Sequence, residues 1–213
     1  AIQNRIGELY YAAAENLLAK EAYKTTSRNY QEVPAETFKA RLVLARIYAE
    51  EENFDESLNI YRQISNEPEA LEPFLSEARE GQVRKALDKG NWELAVGEIK
   101  LALKTFLKII EFSPSTVEAH RGYLQAAEAL KKSDHALKFY QERVKAHPDS
   151  STELYALGLA YTYLDPPALD AAQAEIGKAL EQNSQQVYFH QTLGWIYEQK
   201  ERLQSGFVEK AVH

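Results

Sequence analysis

The sequence predicts an all-α fold: a right-handed α-α superhelix, or solenoid, of about six antiparallel helix-turn-helix repeats. The chain of 213 residues contains only 9 Gly and 7 Pro, so it offers few positions at which a helix must stop. Prolines recur at a fixed distance, and small residues recur at a second fixed distance between them. Self-similarity of this kind, with a period of about 20 to 50 residues, is typical of repeat proteins.

Prolines predict where the repeats end. Pro68 follows Pro34 at the same distance at which Pro148 follows Pro114, which gives a period of about 34 residues. Each of these prolines follows an apolar pattern of helical spacing, as a helix stop signal does.

Within each interval, the predicted first helix carries a large apolar residue, a small residue beside it and an aromatic residue three positions later. The clearest copies are Leu44-Ala45 with Tyr48, Leu157-Gly158 with Tyr161, and Leu193-Gly194 with Tyr197. A residue 12 positions after this small one is predicted to open the second helix, in the pairs Ala45–Ser57, Val83–Ala95, Leu124–Ala136 and Tyr10–Ala22. Small residues at fixed offsets allow two helices to approach closely.

These spacings predict six copies. We expect them near residues 1–36, 37–70, 71–116, 117–150, 151–186 and 187–213. In the fifth copy the offset, from Gly158 to Ala172, is two positions longer because Asp165-Pro166-Pro167 inserts a turn. The sixth copy is incomplete and stops just inside its second helix, so we expect the sequence to be a piece of a longer protein or its end to be covered by a partner.

The pattern resembles the tetratricopeptide repeat family, whose first helix reads W-x2-L-G-x2-Y. His190-x2-Leu193-Gly194-x2-Tyr197 and Leu154-x2-Leu157-Gly158-x2-Tyr161 match it, except that His or Leu replaces Trp. The resemblance extends over nearly the whole chain and implies a non-catalytic scaffold that binds a peptide or helix of another protein in a concave groove.

In that family the groove is lined mainly by first helices, so the resemblance also implies which residues contact a partner. They are expected to be Arg46, Arg121, Tyr155, Leu159, Tyr163, Tyr188, Gln191 and Trp195. Exposed aromatic side chains in a concavity offer a large contact area at a low cost in rotamer entropy. Packing of some of these aromatic residues against the adjacent helix is the alternative.

The third copy is unusual because Pro114 lies much farther from Ala95 than Pro148 lies from Ala136. This distance predicts a second helix that is about two turns longer than the others. The surplus contains an apolar stripe of Leu103, Phe106, Leu107 and Ile110. A neighbouring helix could cover this stripe, or the stripe could dock a partner or a second copy of the chain.

The composition argues against several other functions. Lys and Arg number 25 against 32 Asp and Glu, a net charge of −7 that argues against a phosphate-binding surface and hence against nucleic acid. The chain has no Cys, and its five His are dispersed without a metal-ligand spacing, so we expect no metal, cofactor or catalytic residue. No apolar run is long enough to span a membrane.

Three alternatives to a free-standing scaffold stay open. The chain could be a regulatory or targeting arm of a larger enzyme, or of an envelope or assembly complex. It could bind RNA through helical repeats, which its net charge disfavours. It could also self-assemble through the third-repeat helix or its C-terminal end. The sequence does not identify a compartment, and a cytoplasmic location is only weakly preferred.

Overall fold

The computed structural model describes residues 2–29, 32–68, 70 and 72–211, with side chains described as far as residue 205. Over these residues the chain forms eleven helices and no strand. The predicted all-α class is therefore confirmed. The chain divides into two compact units, Ala1–Lys89 and Gly90–His213.

The first unit contains four helices and most of a fifth. These are α1 (Ile2–Ala12), α2 (Asn16–Asn29), α3 (Pro34–Glu50), α4 (Phe54–Ser65) and α5 (Phe74–Ala95). Local sequence explains two of the helix starts. Pro34 stands at the beginning of α3, where its missing N–H would have no partner, and the side chain of Asn53 caps α4 by accepting from the Glu56 N–H.

Close helix contacts in the first unit depend on small residues. Ser57 Oγ donates to the Ala45 carbonyl oxygen at 2.7 Å, which joins α3 to α4 at the predicted 12-residue offset. Tyr23 of α2 and Tyr61 of α4 are both 1% exposed. Each ring occupies the space that a Cβ would need at a glycine, Gly7 for Tyr23 and Gly81 for Tyr61.

The second unit continues from the end of α5 through six more helices. These are α6 (Ile99–Phe112), α7 (Val117–Ala129), α8 (Ser133–Ala146), α9 (Ser151–Thr162), α10 (Leu169–Gln182) and α11 (Val187–Ala211). Its core includes the fully buried Tyr140, Tyr155 and Ile176. Ser150 caps α9 by accepting from the Glu153 N–H. Consecutive helices from α6 to α11 contact one another.

Four turns between paired helices contain a residue in the left-handed region. The residues are Ala14, Glu52, Gly97 and Lys131, with φ of 59°, 58°, 83° and 55°. Each lies seven positions after a residue that is buried inside the preceding helix, namely Gly7, Ala45, Gly90 and Leu124. Only Gly97 adopts this conformation without a steric penalty, because it has no Cβ.

These turns correct the predicted register in two copies. Ala95 is exposed and ends α5, so it does not open a second helix. The pair at the 12-residue offset is Gly90–Ala102 rather than Val83–Ala95, and Ala102 is fully buried at the start of α6. In the first copy, the pair at the 12-residue offset is Gly7–Ala19 rather than Tyr10–Ala22. Ala19 is buried, and the ring of Tyr23, one helical turn after Ala19, packs on Gly7.

The predicted extension of the second helix in the third copy is therefore wrong. The second helix, α6, has 14 residues, the same number as α8 and α10. The extra length belongs to α5, which has 22 residues. Gly97 ends α5 because it supports the tight turn before Glu98.

The apolar stripe of α6 packs inside the second unit. Phe106 and Ile110 are fully buried, Leu107 is half-buried, and the half-buried Leu103 packs against the main core. The space for the Phe106 ring is left by two glycines, Gly90 and Gly122. Covering by neighbouring helices is thus the correct interpretation for Phe106 and Ile110, and they are not available to a partner or a second copy.

The C-terminal helix α11 differs from the prediction of a sixth repeat that ends inside its second helix. It is one continuous helix of 25 residues, with no turn after Gly194. The last two residues of the predicted sixth copy, Val212 and His213, lie outside the described residues. None of the described helices is both long and apolar enough to cross a membrane.

Candidate functional site

Side chains from α7, α9 and α11 line a groove of about 400 Å³ in the second unit. Five of the residues expected at a partner site meet here: Arg121, Leu159, Tyr163, Gln191 and Trp195. Glu128 also lines the groove, as the offsets along the first helix of the fourth copy indicate, because it lies seven residues after Arg121 and shares its helix face. The sequence analysis missed two further lining residues, Thr162 and Thr192.

Leu159 and Trp195 are two apolar side chains that line the groove. Leu159 is 8% exposed, so only a small part of its side chain reaches the groove, whereas Trp195 is 43% exposed. The exposed amide of Gln191 lies one helical turn before Trp195, on the same side of α11. An aromatic ring beside an amide can provide both contact area and hydrogen bonds to a peptide.

Tyr155 does not contact the groove as expected, because α9 is buried on every side. All residues from Thr152 to Ala160 are buried, and Tyr155 is 0% exposed. Its ring stacks on Phe189 with centroids 4.6 Å apart and an interplanar angle of 18°. Its hydroxyl lies 3.1 Å from Thr192 Oγ1, at the groove wall. Tyr155 therefore supports the groove from behind.

Arg121 is held in place by two aromatic side chains. Its Nη1 donates to the Tyr155 hydroxyl at 3.0 Å, and its guanidinium carbon lies 4.7 Å from the centroid of the Tyr188 ring. Tyr188 is half-buried, so its role here is to support the cation rather than to offer a free face. No carboxylate of the described residues forms an ion pair with Arg121. A guanidinium has five N–H donors, and Tyr155 accepts from one of them.

Glu128 affects the electrostatics at the other end of the groove. Burial raises the pKa of the Tyr163 hydroxyl, and the nearby Glu128 carboxylate raises it further, whereas Arg121 lowers it. Tyr163 is therefore a neutral hydrogen-bonding group at physiological pH. Glu128 is exposed and has no ion-pair partner within the residues that the structure describes.

Arg46 is not part of this groove. It lies on α3 in the first unit, where its guanidinium pairs with the Glu77 carboxylate of α5. An ion pair on an exposed surface contributes little to stability, and the contact of Arg46 with a partner stays a prediction.

His120 lies behind the groove, on the buried side of α7. It is 0% exposed, with Nδ1 3.0 Å from the Tyr140 hydroxyl and Nε2 2.8 Å from the Pro114 carbonyl oxygen. These contacts make it a structural residue. The part of the chain that the structure describes contains no group of three or more His, Asp or Glu side chains placed to hold a metal ion.

Comparison with protein families matches residues 81–151 to the tetratricopeptide repeat. This segment covers α6, α7 and α8, and so includes Arg121 and Glu128. The sequence has no match among curated proteins.

Three solved structures illustrate the fold similarity. MamA from Desulfovibrio magneticus RS-1 is 19% identical, with 77% of this chain and 85% of that chain covered and a TM-score of 0.41. TTC0263, a thermophilic TPR protein in Thermus thermophilus, is 21% identical, with coverage of 92% and 97% and a TM-score of 0.39. YrrB, a TPR protein with an unusual peptide-binding site, is 15% identical, with coverage of 89% of both chains and a TM-score of 0.42. At these identities and scores, the similarities indicate no ligand for this chain.

Proposed function

We propose that the chain is a non-catalytic scaffold that binds a peptide segment of a partner protein, because residues 81–151 match the tetratricopeptide repeat family. Repeats of this family typically serve as protein-interaction scaffolds. The proposed binding site is the groove of α7, α9 and α11.

One observation supports this site above others: side chains from three helices meet at an open groove that holds a fixed cation and an exposed indole. Arg121 is positioned by Tyr155 and Tyr188 before any ligand arrives, which reduces the entropy lost on binding. Trp195 is 43% exposed, and indole side chains are frequent anchors of protein interfaces. The groove volume of about 400 Å³ suits a few peptide side chains.

A peptide-binding experiment tests the proposal. A random peptide library is selected on the wild-type chain, and the selected peptides are labelled for fluorescence anisotropy. We expect Trp195→Ala to weaken binding by about tenfold or more, since loss of an interface anchor costs well over ~1 kcal/mol.

The matched control is Tyr197→Ala, because Tyr197 lies on the same helix, is 52% exposed and does not line the groove. It should leave the affinity unchanged. The proposal fails if no peptide is selected, or if the selected peptides bind the Trp195→Ala chain as tightly as the wild type.

Self-association through α11 is a second candidate, and the surface of that helix favours it. A Cβ added at Gly194 would meet nothing within 4 Å, and Tyr197 and Leu203 are 52% and 55% exposed. Replacing Tyr197 and Leu203 with Asp should abolish any concentration-dependent increase in sedimentation coefficient. A wild-type chain that sediments as a monomer at all concentrations excludes this candidate.

A further inference from the structure

The groove has a cation near one end and an anion near the other, both on α7. Arg121 and Glu128 are seven residues apart, so they lie on one face of the helix at a separation of about 10 Å along its axis. Both line the groove. The groove is therefore electrostatically polar along the direction of α7.

Neither charge is neutralised by the protein. Arg121 contacts the Tyr155 hydroxyl and the Tyr188 ring, which fix its direction without cancelling its charge. Glu128 is exposed and forms no ion pair among the described residues. Charges that a fold positions and leaves unpaired are complementary to a ligand with the opposite charges.

The apolar part of the groove is contributed by the other two helices. Leu159 of α9 and Trp195 of α11 line the same groove as Arg121 and Glu128. The groove thus combines a cation, an apolar surface and an anion, although Leu159 exposes only 8% of its surface.

Building on the proposed function, we propose that the groove selects an extended peptide with an acidic and a basic side chain about 10 Å apart and an apolar side chain beside them. The acidic side chain binds Arg121, the basic side chain binds Glu128, and the apolar side chain packs on Trp195. In an extended peptide of the polyproline II type the chain advances about 3.1 Å per residue with about three residues per turn, so two charged residues three positions apart lie on one face at about the required separation.

The peptide library tests this charge pattern directly. Peptides selected on the wild-type chain should share an acidic and a basic residue about three positions apart. Selection on the Glu128→Lys chain should replace the basic residue with an acidic one. Glu128 is exposed, so this variant should fold normally, which circular dichroism checks.

Two further variants separate a local charge effect from a general one. Glu118→Lys makes the same charge change at an exposed position of α7 outside the groove, and the wild-type pattern should persist. Arg121→Gln removes the charge but keeps an N–H donor on the side chain. It should weaken the binding of the selected peptides by about tenfold.

The outcomes distinguish this inference from the proposed function. If Trp195→Ala abolishes binding but the peptides show no paired charges, or if Glu128→Lys and Glu118→Lys select the same peptides, the charge pattern is refuted and the binding groove stands. If no selected peptide depends on Trp195, both are refuted. A charge pattern that changes only in the Glu128→Lys selection supports both.

Discussion

Replacing His120 with Gln should remove much of the acid sensitivity of this protein. The Pro114 carbonyl can only accept, so His120 Nε2 carries the proton and donates to it at 2.8 Å. Nδ1 then accepts from the Tyr140 hydroxyl at 3.0 Å. Both bonds are made by the neutral ring, which lies in the core at 0% exposure.

The magnitude follows from the pKa of this ring. The pKa of His120 is lowered from 6.5 to about 4, mainly by burial and in smaller part by Arg143, against the opposing effect of the Pro114 carbonyl. The unfolded chain therefore binds a proton at a higher pH than the folded chain does. The contribution of His120 to stability is present above pH 6.5 and is lost as the pH falls from 6.5 towards 4. The free energy of unfolding should decrease by about 2 kcal/mol on acidification to about pH 5 from this group alone.

Urea unfolding at about pH 7.5 and about pH 5 measures this loss. Wild type should lose about 2 kcal/mol more than His120→Gln between the two conditions, since Gln can donate and accept but does not titrate. His135→Gln is the control, because His135 is exposed, and it should behave as wild type does. Equal losses in wild type and His120→Gln would refute the reasoning.

The other stability predictions concern glycines and a buried ion pair. Gly122→Ala should destabilise by about 1–3 kcal/mol in thermal unfolding, because its Cβ would overlap the Phe106 ring; unchanged stability would contradict this contact. Gly194→Ala should stabilise by up to about 1 kcal/mol through helix propensity alone, since its Cβ would meet open space; a loss of stability would show that α11 is covered there. Glu153→Gln should lower the free energy of unfolding, measured by chemical denaturation, by about 2 kcal/mol. The substitution leaves Arg143, whose Nη2 lies 2.5 Å from Glu153 Oε1, without its charge partner. Adding Arg143→Met should recover part of that cost, and strictly additive losses would refute the coupling.

The helix pairs could be predicted because spacing reports which residues face each other. Ala45 and Ser57 form the hydrogen bond that their 12-residue offset indicated. The register of the third copy was missed because Val83 and Ala95 show the same offset by chance. A stronger signal was present: Gly7 and Tyr23 have the same separation in sequence as Gly90 and Phe106, and in each pair the ring fills the space beside the glycine.

The groove was only partly predictable. Offsets along first helices predicted Arg121, Gln191 and Trp195 on the lining face, and these side chains line the groove because they lie on helices with one open face; their contact with a partner stays a prediction. The offsets misplaced Tyr155, because α9 is buried on every face and the spacing of its residues therefore cannot mark one face as open to solvent. Whether an aromatic side chain packs inward or faces solvent depends on its neighbours in space, and the spacing within one helix does not contain that information.

The burial of α9 also determines how the second unit exchanges its amide hydrogens. Residues from Thr152 to Ala160 are all buried, so solvent reaches their N–H groups only when the unit opens as a whole. The exposed residues that follow Ile196 in α11 can exchange through local fraying instead. A ligand in the groove would slow exchange in α9 by the factor with which it stabilises the unit. Deuterium uptake by this one helix would therefore report occupancy of a groove that it lines with only a few side chains.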